Sequence, residues 1–241
     1  MQLIIRHKVP DGLSLPINYN HILQSMIFRH LKSDDGNYHT IHDCGAKFSK
    51  RVYKLFVFSL IRGRYHRKGR QIIFEDTIEY EVRSPEARLI QVLANSIKEH
   101  GIFYGEAHFD NIELEVRDYE VESDQIRIRM TSPVCVYSTE SNSGFTHYYA
   151  PEDAEFAQMI QDNFLRKYQA YCGVTPQEGI EIIPTKVTER DKFITRYKNT
   201  YINGWNGEYL LKGKRKYLDF LYQTGIGSKN AQGFGMFQIV E

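Results

Sequence analysis

Apolar residues recur along the chain at two periods. From Asn20 to Lys32, Leu23, Met26, Ile27 and Leu31 return every three or four positions, and Ser-Asp-Asp-Gly follows as a stop, which predicts a helix. Ahead of it Gln2–His7 reads as a short apolar strand, and after it Val52–Leu60, with Leu55, Val57 and Phe58 close together, reads as another. Arg62–Arg70 is a basic turn leading into a strand over Gln71–Val82. Ser84-Pro85-Glu86 opens a helix that runs to His100, with Gly101 where a C-terminal cap belongs. Ile102–Val116 returns as strand, completing β-α-β-β-α-β, the ferredoxin-like order.

The polar stretch Arg117–Asp124 reads as a linker, after which the order begins again. Gln125–Met130 alternates as a strand, and Pro151–Tyr171 carries Phe156, Met159, Ile160 and Phe164 on one helical face, closed by Gly173. Gly179–Val187 and Phe193–Ile202 read as two strands, Lys214–Tyr222 as a short helix and Phe234–Val240 as a closing strand. The pattern therefore predicts an α+β chain of two tandem ferredoxin-like (RRM-like) domains, residues 1–120 and 125–241.

Composition narrows the class. Among 241 residues, 41% apolar and 25% charged side chains exclude a disordered or collagen-like chain. No apolar run approaches the ~20 residues of a membrane span, and Met-Gln-Leu-Ile-Ile-Arg lacks a cleavage site for secretion. Cys44, Cys135 and Cys172 are scattered, which excludes a disulfide framework and a cysteine zinc site. These features predict a soluble, reduced, cytoplasmic protein with no membrane partner.

Net charge is only +1, yet the charges are grouped. His42–Arg70 holds nine Lys/Arg against one acid, Glu75–Asp124 fourteen acids against four bases, and Lys186–Lys216 nine bases against three acids. This grouping predicts one face turned toward a polyanion and another that repels it.

Residues 225–235 read Gly-Ile-Gly-Ser-Lys-Asn-Ala-Gln-Gly-Phe-Gly, two Gly-apolar-Gly units flanking Lys229 and Asn230. Glycines permit positive φ and close backbone approach, and consecutive free N–H groups in such a loop would form an anion-binding concavity with Lys229 adding charge. A P-loop is excluded, because Gly-Lys-[Ser/Thr] is missing and the loop precedes a strand; order excludes a dinucleotide fingerprint as well.

This loop resembles the signature of the RAMP superfamily, specifically its CRISPR repeat-processing endoribonucleases. The likeness extends to the opening strand Leu3-Ile4-Ile5-Arg6, the Asn20-His21 helix start and Thr131-Ser132-Pro133-Val134. The resemblance implies metal-independent cleavage of precursor CRISPR RNA, in which the 2′-hydroxyl attacks its own phosphate. In the family a catalytic histidine follows the first helix. His42 matches it, preceded by Ile41 and followed by Asp43, with His39 as a second candidate, and Lys54 takes the family's catalytic lysine position. The loop between them is longer than the family pattern, which leaves Lys47 or Lys50 open as replacements for Lys54. Several members carry a tyrosine late in the first helix, where this chain has Phe28, so His30, His39 and Tyr38 remain open as the acid. His39, His42 and Asp43 complete no ligand set, so no metal and no other cofactor is expected.

The RNA contacts expected are Lys47, Lys50, Arg51, the Arg62, Arg64, Arg67, Lys68 and Arg70 hairpin with Tyr65 to stack on a base, and Lys214 and Arg215 with Lys212 and Lys216 beside them. Gly225, Gly227, Lys229, Asn230, Gly233 and Gly235 of the loop complete the set. Trp205 reads as a packed turn residue rather than a base platform. The implied partner is CRISPR repeat RNA; assembly with other effector-complex subunits and a homodimer stay open. Two rival readings are a non-catalytic RNA-holding subunit and an unrelated ferredoxin-like protein that binds a small anion.

Overall fold

The structure is a computed structural model describing residues 1–32, 46–49, 51–197 and 200–240. Its first half comprises β1 (Gln2–Pro16), α1 (Asn20–Lys32), β2 (Val57–Phe58), β3 (Gln71–Arg83), α2 (Ala87–His100) and β4 (Ile112–Arg117). All pairings are antiparallel, in the order β4-β1-β3-β2. α1 buries Leu23, Met26, Ile27 and Leu31, the face its spacing predicts, and α2 buries Leu89, Ile90, Leu93 and Ile97. Both helices pack on one face of the sheet, against Leu3, Ile5, Ile78, Tyr80 and Val82. Apolar burial of this kind, not helix propensity, holds short helices in place.

The second half repeats the plan with β5 (Gln125–Met130), α3 (Ala154–Cys172), β6 (Glu181–Lys186), β7 (Glu208–Lys212), α4 (Arg215–Thr224) and β8 (Phe237–Val240). Its sheet order is β8-β5-β7-β6, so both halves place their strands in the sequence fourth, first, third, second. Phe156, Ile160 and Phe164 of α3 and Leu218 and Leu221 of α4 bury against Ile128, Tyr209 and Leu211. The chain is thus a pair of tandem ferredoxin-like domains, and no helix among the described residues is long and apolar enough to cross a membrane.

Several segments depart from expectation: the opening strand runs on to Pro16, and Arg62–Lys68, expected as a turn, is a strand. Phe193–Ile202 is not a strand of the second sheet: Lys192–Tyr197 and Thr200–Trp205 form a separate hairpin, and β7 occupies the sheet position instead. The hairpin turns only one face inward. Ile202 packs with Cys135 and Phe234, while Ile194 and Tyr201 stay exposed. Val52–Leu60 is likewise broken, into Arg51–Tyr53, paired with Ala46–Phe48, and β2. Ile102–Val116 begins with a tight hairpin, Ile102–Tyr104 against Ala107–Phe109, reversed at Gly105 with φ +68°. Trp205 ends a strand, exchanges both backbone hydrogen bonds with Val134 and is buried, consistent with packing.

The two halves are joined through a buried arginine. Arg83 pairs with Glu81 at 2.8 Å, donates to the Phe237 carbonyl at 2.7 Å and lies 3.7 Å over the Tyr222 ring. Tyr222 in turn donates to the Gln2 side chain at 2.9 Å. A guanidinium has enough donors to serve several acceptors at once, which suits it to a buried junction.

Candidate nucleic-acid interface

A cleft of about 690 Å³ lies between the halves, bounded by the Arg51–Tyr53 strand and Lys54, by α3, by residues 136–139 and by the glycine loop. α3 lines it with Met159, Asn163, Arg166 and Lys167, positions i, i+4, i+7 and i+8 of one helical stripe next to the buried Phe156–Ile160–Phe164 stripe. Lys54, Arg166 and Lys229 give it three cations beside the buried Lys167, and no Asp or Glu stands among the described lining residues. Positive charge gathered in a concave site focuses potential on an anion.

Lys54 sits half-buried with its ammonium 4.4 Å over the Phe28 ring of α1, and Phe28 meets Phe56 edge-on. Lys47 is exposed and pairs in register with Val52, a cleft-lining residue. Arg51 opens the strand that carries Tyr53 to the cleft. His39, His42 and Lys50 lie outside the described residues.

The glycine loop differs from expectation in what its glycines do. Ile226 donates its N–H to the Gly235 carbonyl, Ser228 to Cys135, Gln232 to Lys229, Gly233 to Asn230 and Gly235 to Pro133, all at 2.8–3.0 Å. These five donors are consumed inside the protein, whereas the N–H groups of Lys229, Asn230 and Ala231, at the start of a 3₁₀ turn, make no backbone hydrogen bond among the described residues. A Cβ on Gly235, at φ +81°, would overlap the Ile226 carbonyl oxygen, and one on Gly233, at φ +82°, would lie 2.5 Å from the Phe58 ring. Gly225 and Gly227 are buried in the same way. The glycines serve close packing of the loop on itself and on β2.

Asn230 points inward too. Its amide donates to Ile226 and Phe234 carbonyls, 3.0 Å each, and its oxygen accepts from Lys167 Nζ at 3.1 Å. Lys167 also donates to the Gly225 and Thr224 carbonyls at 2.6 and 3.4 Å, at the C-terminal end of α4 where the helix dipole is negative. Burial lowers Lys167 to about 7. From the loop, every residue from Gly227 to Gln232 lines the cleft, and the Lys229 ammonium lies 4.6 Å over the Tyr137 ring. Burial pushes the neighbouring Cys135 thiol up to about 12, which keeps it unreactive.

The basic arm Arg62–Lys68 pairs with β3, and its charges are partly answered there. Arg62 meets Glu79 at 2.8 Å, Arg64 meets Glu75 and Asp76 at 2.9 Å each, and His66 meets Glu75 at 2.9 Å. The charge runs separated in sequence are therefore adjacent in space here, and the expectation of one basic and one acidic face is corrected for this arm. Arg67, Lys68 and Arg70, toward its tip, make no ion pair among the described residues. Lys214 pairs with Glu178 at 2.7 Å and Arg215 with Asp124 at 3.8 Å. Both stand at the end of α4 away from the glycine loop, about 15 Å of helix from it.

Arg166, Lys167, Asn163 and Gln232 were not among the expected contacts. The signal for the α3 residues was present in their spacing, beside an apolar stripe read only as core.

Residues 116–239 match the sequence profile of the family described as CRISPR associated protein Cas6, C-terminal. Over 258 aligned positions the chain is 24% identical to CRISPR-associated endoribonuclease Cas6 1 of Methanocaldococcus jannaschii, covering 100% of this chain and 93% of that protein. It is also 24% identical to a putative CRISPR-associated endoribonuclease-like protein, Cas6nc, of Pyrococcus horikoshii, covering 96% of this chain and 95% of that one. A solved structure described as a RAMP protein binding different RNA substrates superposes with TM-score 0.82 at 21% identity, over 100% of both chains.

Proposed function

The chain belongs to the family of CRISPR-associated Cas6 proteins, and on that premise we propose that it is an endoribonuclease that cleaves precursor CRISPR RNA within the repeat. The observation that carries this reading is the cleft between the domains: Lys54, Arg166 and Lys229, drawn from both halves of the chain, with no carboxylate among the described lining residues. Mutual repulsion of clustered cations is relieved by a polyanion, and an RNA backbone is a repeating one.

The chemistry proposed is transesterification. The 2′-oxygen bonds to the adjacent phosphorus as the bond to the 5′-oxygen breaks, leaving a 2′,3′-cyclic phosphate and a 5′-hydroxyl. One group must take the 2′-hydroxyl proton and another must give a proton to the leaving oxygen, with no metal ion required. His42 is assigned to one of these transfers and His39 stands as the second candidate, since imidazole titrates near working pH. Lys54 supports the charge that develops on the phosphorane-like transition state. Its neighbour Phe28 offers no proton. Lys47 and Lys229, with the Arg67, Lys68 and Arg70 tip, are proposed to hold phosphates.

Phe28 favours a second reading, an RNA-holding protein that does not cut, because it fills the place where several family members carry a tyrosine. End-group analysis separates the two. With EDTA present, wild type is expected to cut repeat RNA once and leave a cyclic phosphate, and His42→Ala is expected to bind without cutting. Tight binding by wild type with no product would leave the RNA-holding reading.

A further inference from the structure

Four residues that line the cleft each carry a buried polar atom with no hydrogen-bond partner among the described residues: Tyr53 OH, Asn163 Oδ1, Arg166 Nε and Gln232 Oε1. Buried polar groups are paired in the great majority of cases, because leaving one unpaired costs its full desolvation. Four such atoms around one cleft mark a place that a ligand completes.

The surroundings of these atoms are fixed. Asn163 and Arg166 stand three residues apart on α3, whose adjacent stripe is core. Gln232 donates its backbone N–H to Lys229 at 2.8 Å, and its carbonyl accepts from Asn20 at 3.2 Å, so the glycine loop holds its side chain at the rim.

The chemistry of the set identifies the ligand. A phosphate offers acceptors only; it could meet Arg166 Nε and the Tyr53 hydroxyl, but not the amide oxygens of Asn163 and Gln232, which require a donor. The edge of a nucleobase presents amino or imino donors beside carbonyl or ring-nitrogen acceptors. Met159 and Val136 supply apolar surface alongside, and the cleft volume is that of a small-ligand site.

We propose that Asn163, Arg166 and Gln232, with Tyr53, form a pocket that reads the base of one unpaired nucleotide of the repeat RNA. This rests on the RNA reading above and adds a specificity element to it. Single-stranded positions are where RNA sequence is read, because their base edges are free.

The test uses Asn163→Leu and Gln232→Met, which remove the amide acceptors at nearly constant size. Binding is measured to repeat RNAs changed one unpaired position at a time, alongside thermal melting of each protein. Wild type should show one position at which a base change weakens binding about tenfold. Each variant should lose that discrimination at that position alone, and should melt no lower than wild type, or about 2 °C higher, because an unpaired buried acceptor has gone.

A uniform loss at every position with a shallower salt dependence would make these residues backbone contacts and overturn the proposal. So would unchanged discrimination, or a wild type indifferent to every base, or a lowered melting temperature, which would mean the amides already serve the fold. Wild type failing to bind repeat RNA at all would instead overturn the RNA reading beneath it.

Discussion

Charge compensation, rather than charge, should decide which cations hold RNA. Lys229 and Arg64 make the comparison. Lys229 stands in a cleft with no acidic residue among the described lining, whereas Arg64 lies 2.9 Å from both Glu75 and Asp76. On single-stranded nucleic acid each phosphate contact contributes about −0.7 to the slope of log K against log salt. Lys229 together with the Arg67, Lys68 and Arg70 tip should therefore supply a slope of about −3. Removing Lys229 with Lys229→Ala should flatten the slope by about 0.7 and weaken binding about fourfold near 0.15 M salt. Arg64→Ala removes a cation whose charge two carboxylates already offset, and should change the slope by less than half as much. The assay is a titration of labelled repeat RNA, carrying 2′-O-methyl groups so that no attack is available, from 50 to 300 mM KCl. Equal changes for the two variants would refute the reasoning, since local ion pairing would then have no bearing on contact.

Three further expectations concern the frame that holds the site. Gly235→Ala should cost about 3 kcal/mol or more, because its Cβ meets the Ile226 carbonyl, while Gly69→Ala, at φ +60° with open space around it, should cost about 1 kcal/mol; urea midpoints check both, and equal losses would contradict the packing role. Arg83→Met should destabilise by about 3–5 kcal/mol, since it leaves the Glu81 carboxylate buried without its cation; a neutral result in the same urea series would contradict its role at the junction. Lys167, lowered by burial to about 7 in the folded protein, titrates near 10.4 when unfolded, so the unfolded chain holds the extra proton between those values. Stability from this group should rise with pH across that window, by up to about 5 kcal/mol, and Lys167→Met should remove the rise; parallel pH profiles would rule it out.

What could be read in the sequence depended on whether a signal was local. α1 was legible over its whole length because four apolar residues at helical spacing end at an abrupt polar stop. β5 was legible because its alternation is strict. β7 was missed: five residues beginning with Glu208 carry little pattern, and the neighbouring Lys192–Trp205 hairpin is richer in the residue types that form strands. The same limit governed the site. Lys54 and Lys229 were legible as cations within motifs, and both line the cleft. Arg62 and Arg64 seemed equally available, because the carboxylates that pair with them lie across a hairpin and only the fold brings them together. The glycines announced themselves by composition, but composition cannot tell a backbone that approaches a ligand from one that approaches Phe58 and Ile226.

The central claim is that this cleft holds repeat RNA for cutting, with Lys54 supporting the charge that develops at the phosphate. Single-turnover cleavage of repeat RNA in EDTA, by wild type and Lys54→Ala at saturating protein, tests it most directly. The account expects wild type to cut once and Lys54→Ala to cut about a hundredfold or more slowly while still binding. A variant that cuts at the wild-type rate once saturated would contradict it, because Lys54 would then be only one more phosphate contact.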